Sequence, residues 1–335
     1  MPSRREMSLA ILRYDRTLPL LNGTVEIPDV FVMETPSRIS AEGLVSGLFD
    51  AAEMPLARYL FMRERGDPIT ALPIFPLRIF PHQYMFTRED AGITSPSDLR
   101  GKNVMIHAYF ITPSIWYRGI MKEDYGILPT EVTWHHFWPD RDGRMRVPEG
   151  VTTAYTPSEN FGVDRLLDGT VDCLMLDTTP TVPDSDRHKV VRVFKDVGGV
   201  QKDWYRRTGY NVAIHVIAVR QAAVDERPAL TEELCAAFDE AKSIAYLQMQ
   251  NEWATGLPLM RTYLDETREL FGDDPWPYGL VQNWGQIDKL LHYSNDQGFL
   301  GRRLSPEEIF EQQAAKYEFT SRMPHGSRPG SPQIG

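Results

Sequence analysis

Short apolar runs alternate with amphipathic stretches along most of the chain. Ser8 to Arg13 and Ile27 to Met33 read as strands, and Ser37 to Phe49 as a helix with Ile39, Leu44, Val45 and Leu48 on its apolar face. Asp50 to Met54 predicts another strand, Leu56 to Arg65 a helix, and Thr70 to Leu77 and Tyr84 to Thr87 two further strands. Ser95 to Lys102 is a polar turn with a helix-capping pattern. Beyond it, strands are expected at Asn103 to His107, Val132 to Phe137, Val171 to Leu176 and Val212 to Val219, with a helix at Pro113 to Tyr125. Asp140 to Thr152 reads as a loop. Thr156-Pro157-Ser158-Glu159 has the order of a cap, an N1 proline and an N3 glutamate, so a helix is expected from there to about Leu167. The last third predicts helices at Pro228 to Gln250, Leu257 to Phe271 and Gln282 to Gln297, and a short one opened by the capping box Ser305-Pro306-Glu307-Glu308.

This alternation predicts mainly parallel sheets covered by helices, an α/β fold in two lobes with a hinge and an inter-lobe cleft. Residues 1–100 and 216–320 are expected to form the first lobe, residues 101–215 the second, and residues 321–335, rich in Gly, Pro and Ser, a mobile tail. Clefts of this kind hold small ligands because strand ends and helix N-termini converge there.

Length and composition sharpen the picture in a few places. The 335 residues suit two lobes better than one core. A formal net charge of −10 argues against nucleic acid as a partner, and an anionic ligand would need a local arginine cluster. Cys173 and Cys235 fit buried structural thiols, and their separation suggests neither zinc nor a disulfide framework. The first residues lack the apolar run of an export signal, and no stretch suits a membrane span, so a cytoplasmic protein is expected.

Several longer strings occur in an informative order: YDRTLPL from Tyr14, FDAAEMPLARYL from Phe49, IFPLRIFPHQYMFTRED from Ile74, SPSDLRGKNVMIHAY from Ser95 and SIWYRGIMKEDYGI from Ser114. YRRTGYNVAIHVIAVR from Tyr205, GDDPWPYGL from Gly272 and HYSNDQGFLGRRLSPEEIF from His292 complete them. Together they resemble the 4,5-dihydroxyphthalate decarboxylase family over roughly residues 8 to 312. The resemblance implies a type II periplasmic-binding-protein-like fold in an intracellular enzyme. It implies removal of one carboxylate from a hydroxylated aromatic diacid without an organic cofactor, and a homo-oligomer. Leu18, the Pro55-Leu56-Ala57 stretch and the arginine-free LDTTPTVP from Leu176 depart from the family pattern, which leaves the exact substrate open.

Such a reaction needs a proton donor for the ring carbon, groups that grip carboxylates, and a surface for the ring. Histidine suits proton transfer near neutral pH, and the arginine fork suits carboxylates. The candidate acids are His82, four residues beyond Arg78, and His215, inside an apolar strand where a satisfied core residue is an equal alternative. Glu53, at the end of a parallel strand, could orient a histidine or take the proton of a ring hydroxyl. Tyr14, Arg16, Arg38 and Arg78 are candidates for binding the substrate. So are Arg118, for which a surface ion pair is as good a reading, and Trp116, which could stack on a ring or simply pack. Thr112 and Ser114 add hydroxyls where a helix N-terminus favours an anion. His135 and His136 are adjacent on a strand and point to opposite faces, and no HxH or HExxH spacing occurs, so no metal is expected. His107, His188, His292 and His325 receive no functional role. The rival to catalysis is a cytoplasmic protein that captures an aromatic acid unchanged.

Overall fold

The computed structural model describes residues 6–139 and 147–324. Part of the expected loop (140–146), the first five residues and the tail with His325 lie outside the described residues.

Two sheets carry the two lobes. The first has the strand order Val30–Glu34, Met7–Ile11, Ala51–Pro55, His215–Arg220, Ile69–Leu72. Its first three strands are parallel, and His215–Arg220 runs antiparallel to both neighbours. The second has the order Val190–Arg192, Met85–Arg88, Cys173–Met175, Asn103–Ile106, Thr133–His136, Thr152–Tyr155. Here Met85–Arg88 is the antiparallel member, and the four strands on one side of it are mutually parallel. Between the lobes Arg78–Ile79 pairs antiparallel with Val212–Ala213. Each sheet therefore takes its antiparallel strand from a segment that has just crossed the hinge.

The outward crossing comes earlier than the expected boundary at residue 100. The first sheet releases the chain at Leu72, and Met85–Arg88 already belongs to the second. Pro73, Pro76 and Pro81 explain the shift, because prolines without N–H groups end ladders and favour an extended connector. The expected strand over residues 212–219 is divided at Ile214, where the hinge ladder ends and the first sheet begins.

Helices follow the pattern with three instructive differences. Ser37–Ser46 buries Leu44 of the expected row together with the small Ser40, Ala41 and Gly43, and leaves Ile39, Val45 and, past the helix end, Leu48 exposed. Gly43 is needed there, because a Cβ would overlap the Phe49 ring. The expected helix at 156–167 begins only at Val163. Ser158 is occupied in the preceding loop, where its hydroxyl accepts from the Gly162 N–H at 2.7 Å and donates to Asp164. Val197–Thr208 forms a helix that the sequence reading does not expect, capped by Asp196 on the Gly199 N–H. The capping box at Ser305 and Glu308 forms as the sequence expects.

Residues 321–324 are packed, not part of a mobile tail. Ser321 and Met323 are buried, and Asp239 accepts from the Ser321 N–H at 3.1 Å and the Thr320 N–H at 2.7 Å. Among the described residues no helix is long and apolar enough to cross a membrane.

Candidate active site

At the carboxyl ends of the first sheet's parallel strands, one buried carboxylate gathers three donors. Glu53 is fully buried on Ala51–Pro55. Its Oε2 accepts the Leu12 N–H at 3.1 Å, just past the end of Met7–Ile11. Its Oε1 accepts the Tyr14 hydroxyl at 2.9 Å and faces His215 Nδ1 at 2.7 Å. A buried carboxylate without partners would cost several kcal/mol, so this set of donors is what holds it there. His215 opens its strand in register with Pro55, two residues past Glu53, which brings ring and carboxylate together. With Nδ1–H directed at Glu53, Nε2 is the exchangeable nitrogen; among the described residues it makes no hydrogen bond, and the ring keeps 9% exposure. Burial, then the charge of Glu53, pushes the Tyr14 hydroxyl far above the ordinary tyrosine range, so it stays protonated and donating.

Arg16 walls this group on one side. Its guanidinium lies 4.4 Å from the Tyr14 ring centroid and 3.8 Å from that of Trp276, and it donates to the Pro76 carbonyl and to Asp15. Beyond it opens a cavity of about 390 Å³ with Arg78, Phe271 and Trp276 in its lining. Tyr278 is buried near Glu53 and its hydroxyl has no partner. It belongs to the GDDPWPYGL string, but nothing in that string marks the tyrosine as a neighbour of a carboxylate 225 residues earlier.

The second lobe meets this site through the helix Thr112–Tyr125. Thr112 Oγ1 accepts the Ala57 N–H at 2.9 Å, joining the N-terminus of that helix to the N-terminus of Leu56–Glu64 in the first lobe. Ser114 is buried two residues further on. A second acid–histidine pair sits at the carboxyl ends of the second sheet: His107 Nε2 lies 3.3 Å from Asp177 Oδ1, and its ring packs on Phe137, Trp138 and Phe161. Burial lowers its affinity for a proton, with Asp177 opposing. Phe161 adopts φ 57°, the left-handed region, which is strained for a side chain of this kind. Sequence reasoning passed over this pair. A polar residue immediately after a buried parallel strand, as His107 is after Ile106, was the available signal.

The other candidates lie apart from the dyad. His82 is fully buried between Phe194 and Trp204, with ring centroids at 5.7 and 5.3 Å, and among the described residues neither nitrogen has a partner. Burial takes its pKa down to about 4, so it is neutral near neutral pH. Arg78 is spent on structure: it donates to the Asn211 carbonyl at 2.6 Å, to Asn283 Oδ1 at 2.7 Å and to the Pro277 carbonyl. Arg38 is exposed and pairs with Glu42 one turn along its helix. Trp116 packs edge-on against Trp204, Tyr210 and Tyr293. Arg118 is buried in the second lobe over the Tyr109 ring. Among the described residues no three His, Cys, Asp or Glu side chains group in a way that would hold a metal.

Comparison with solved structures supports the two-lobed reading. The periplasmic aliphatic sulphonate binding protein SsuA of Escherichia coli superposes with a TM-score of 0.53 at 14% identity, covering 93% of this chain and 99% of that one. A sulfonate-binding SsuA from Methylobacillus flagellatus gives 0.57 at 13% identity, covering 92% and 93%. At these identities the likeness concerns the fold alone. No protein-family model matches the chain. Among curated proteins, the 4,5-dihydroxyphthalate decarboxylase of Pseudomonas putida is 29% identical over 218 residues, covering 62% of this chain and 84% of that protein. That of Comamonas testosteroni is 30% identical over 319 residues, covering 92% of this chain and 97% of that protein. An identity of that extent, running through both lobes and the hinge, makes this chain a member of the 4,5-dihydroxyphthalate decarboxylase family.

Proposed function

We propose that the protein is a carboxy-lyase that removes one carboxylate from a hydroxylated aromatic acid such as 4,5-dihydroxyphthalate, with His215 as the proton donor. The observation that carries this reading is the Glu53–His215 pair, in which one nitrogen is fixed by a buried carboxylate and the other is left for chemistry. The protonated imidazole gives its Nε2 proton to the ring carbon bearing the carboxylate. The ring hydroxyl supplies electron density to that carbon. The bond to the carboxylate then breaks, carbon dioxide leaves, and the bonding electrons restore the aromatic ring. Solvent returns the proton to His215. Glu53 stabilises the imidazolium and sets the tautomer, and its engagement with three donors favours this orienting role over that of a base for the ring hydroxyl. Arg16, over the Tyr14 ring, and the start of the helix Thr112–Tyr125, joined to Ala57, are the anion-binding elements of this reading.

Carbon dioxide release from 4,5-dihydroxyphthalate tests this directly. Wild type should release it, and His215→Ala should not. Saturable binding with the compound recovered unchanged would make the protein a capture protein instead. Undiminished release by His215→Ala would move the proton donor elsewhere.

A further inference from the structure

Away from the Glu53–His215 pair, the helices Thr112–Tyr125 and Leu280–Asp296 meet along a seam. Gly119 makes the approach possible, since a Cβ there would overlap the Tyr293 ring. The seam buries Arg118 to 1% exposure, and among the described residues it forms no ion pair with a carboxylate. Its Nε donates to Gln297 Oε1 at 2.8 Å, and Gln297 is held in turn by donating to the Ile115 carbonyl at 2.9 Å. Among the described residues both terminal nitrogens of the guanidinium are buried without a hydrogen-bond partner, and so is the Tyr109 hydroxyl. The Tyr109 ring covers one face of the guanidinium at 3.8 Å. A buried cation with two idle donor groups is a costly arrangement that a bound anion would relieve.

Arg118 borders a cavity of about 210 Å³ at this seam. Tyr109, Leu128, Val151 and Tyr293 give it apolar walls, and Glu123, Glu149 and Asp296 lie around it. Lys289 and Lys122 pair with Glu123 and Asp296, so the three acids at the rim outnumber these two lysines by one. The apolar walls suit a flat hydrocarbon ring, the idle guanidinium edge suits one carboxylate, and the rim acids disfavour a second negative charge. We propose that this cavity is a second binding site, separate from the Glu53–His215 site, for an aromatic monocarboxylate of about the size of benzoate.

The test uses benzoate and the full chain. Titration calorimetry should show saturable binding to wild type and to His215→Ala. Arg118→Met should weaken that binding at least tenfold, and Leu128→Trp, which fills the cavity from its exposed rim, should do the same with the guanidinium intact. Phthalate should bind this site more weakly than benzoate. Thermal unfolding without ligand checks that both variants fold. Benzoate binding that disappears in His215→Ala but persists in Arg118→Met would place the ligand at the other site and overturn the proposal. Failure of wild type to bind benzoate saturably in the millimolar range would overturn it as well.

Discussion

The two lobes each set a histidine beside a carboxylate at the ends of their parallel strands, but with different surroundings. In the first, Glu53 is fully buried, holds three donors and meets His215 at 2.7 Å. In the second, Asp177 keeps 30% exposure and approaches His107 at 3.3 Å, while the remaining nitrogen of His107 is buried without a partner. The first arrangement holds its ring rigidly and leaves the far nitrogen open, as proton transfer requires. The second packs its ring among aromatic side chains and suits contact with a flat ligand better than exchange of protons. His82 is a third case, a histidine with no carboxylate partner, kept neutral by burial. What separates the three is the environment of the second nitrogen rather than the residue type.

The contrast can be broken most forcefully at Glu53. Glu53→Gln should keep the hydrogen bond from Leu12 but lose the charge facing His215, and turnover should fall about 10²–10⁴-fold, the range for general acid catalysis. An Asp177→Asn variant should lose no more than about tenfold if the second pair only shapes the site. Comparable losses in both would erase the distinction. Steady-state carbon dioxide release measures each.

Stability against pH offers a test of His82. The unfolded chain takes up a proton on this histidine near pH 6.5, whereas the folded protein resists until about pH 4. The stability associated with the neutral ring is therefore present above pH 6.5 and is lost progressively as pH falls towards 4. The loss amounts to at most about 3 kcal/mol. His82→Phe should flatten the acid limb of a denaturation series between those values without abolishing turnover. An unchanged limb would show that the folded histidine titrates normally.

The smallest expected effect concerns the contact between the lobes. Thr112→Val removes the acceptor for the Ala57 N–H and should cost about 1 kcal/mol, read as a lower urea midpoint with an unchanged slope.

Much of the fold was legible because strand and helix periodicities differ and the apolar runs were clean. Glu53 was legible as a strand carboxylate, and its partner only as one of two readings, since the strand His215–Arg220, apolar from Val216 to Val219, hides whether its first residue faces a core or a cleft. Periodicity failed where small residues pack. The helix Ser37–Ser46 buries Leu44 with alanine, serine and glycine and exposes Ile39 and Val45, because closeness to the strands beneath mattered as much as hydrophobic mass. Arginines were the least legible. Arg38, Arg78 and Arg118 look alike in a string, and only their tertiary neighbours distinguish an exposed ion pair, a backbone clamp and an idle buried cation.

The strand His215–Arg220 lies between Ala51–Pro55 and Ile69–Leu72. A ribosome therefore delivers the two halves of the first sheet long before the piece that joins them. The second sheet, complete by Arg192, can close while the first still waits. Glu53 is made early and must remain without its imidazole until well over a hundred further residues have emerged. A nascent chain stalled before residue 215 would carry every strand of the second sheet, and Glu53 without its histidine partner.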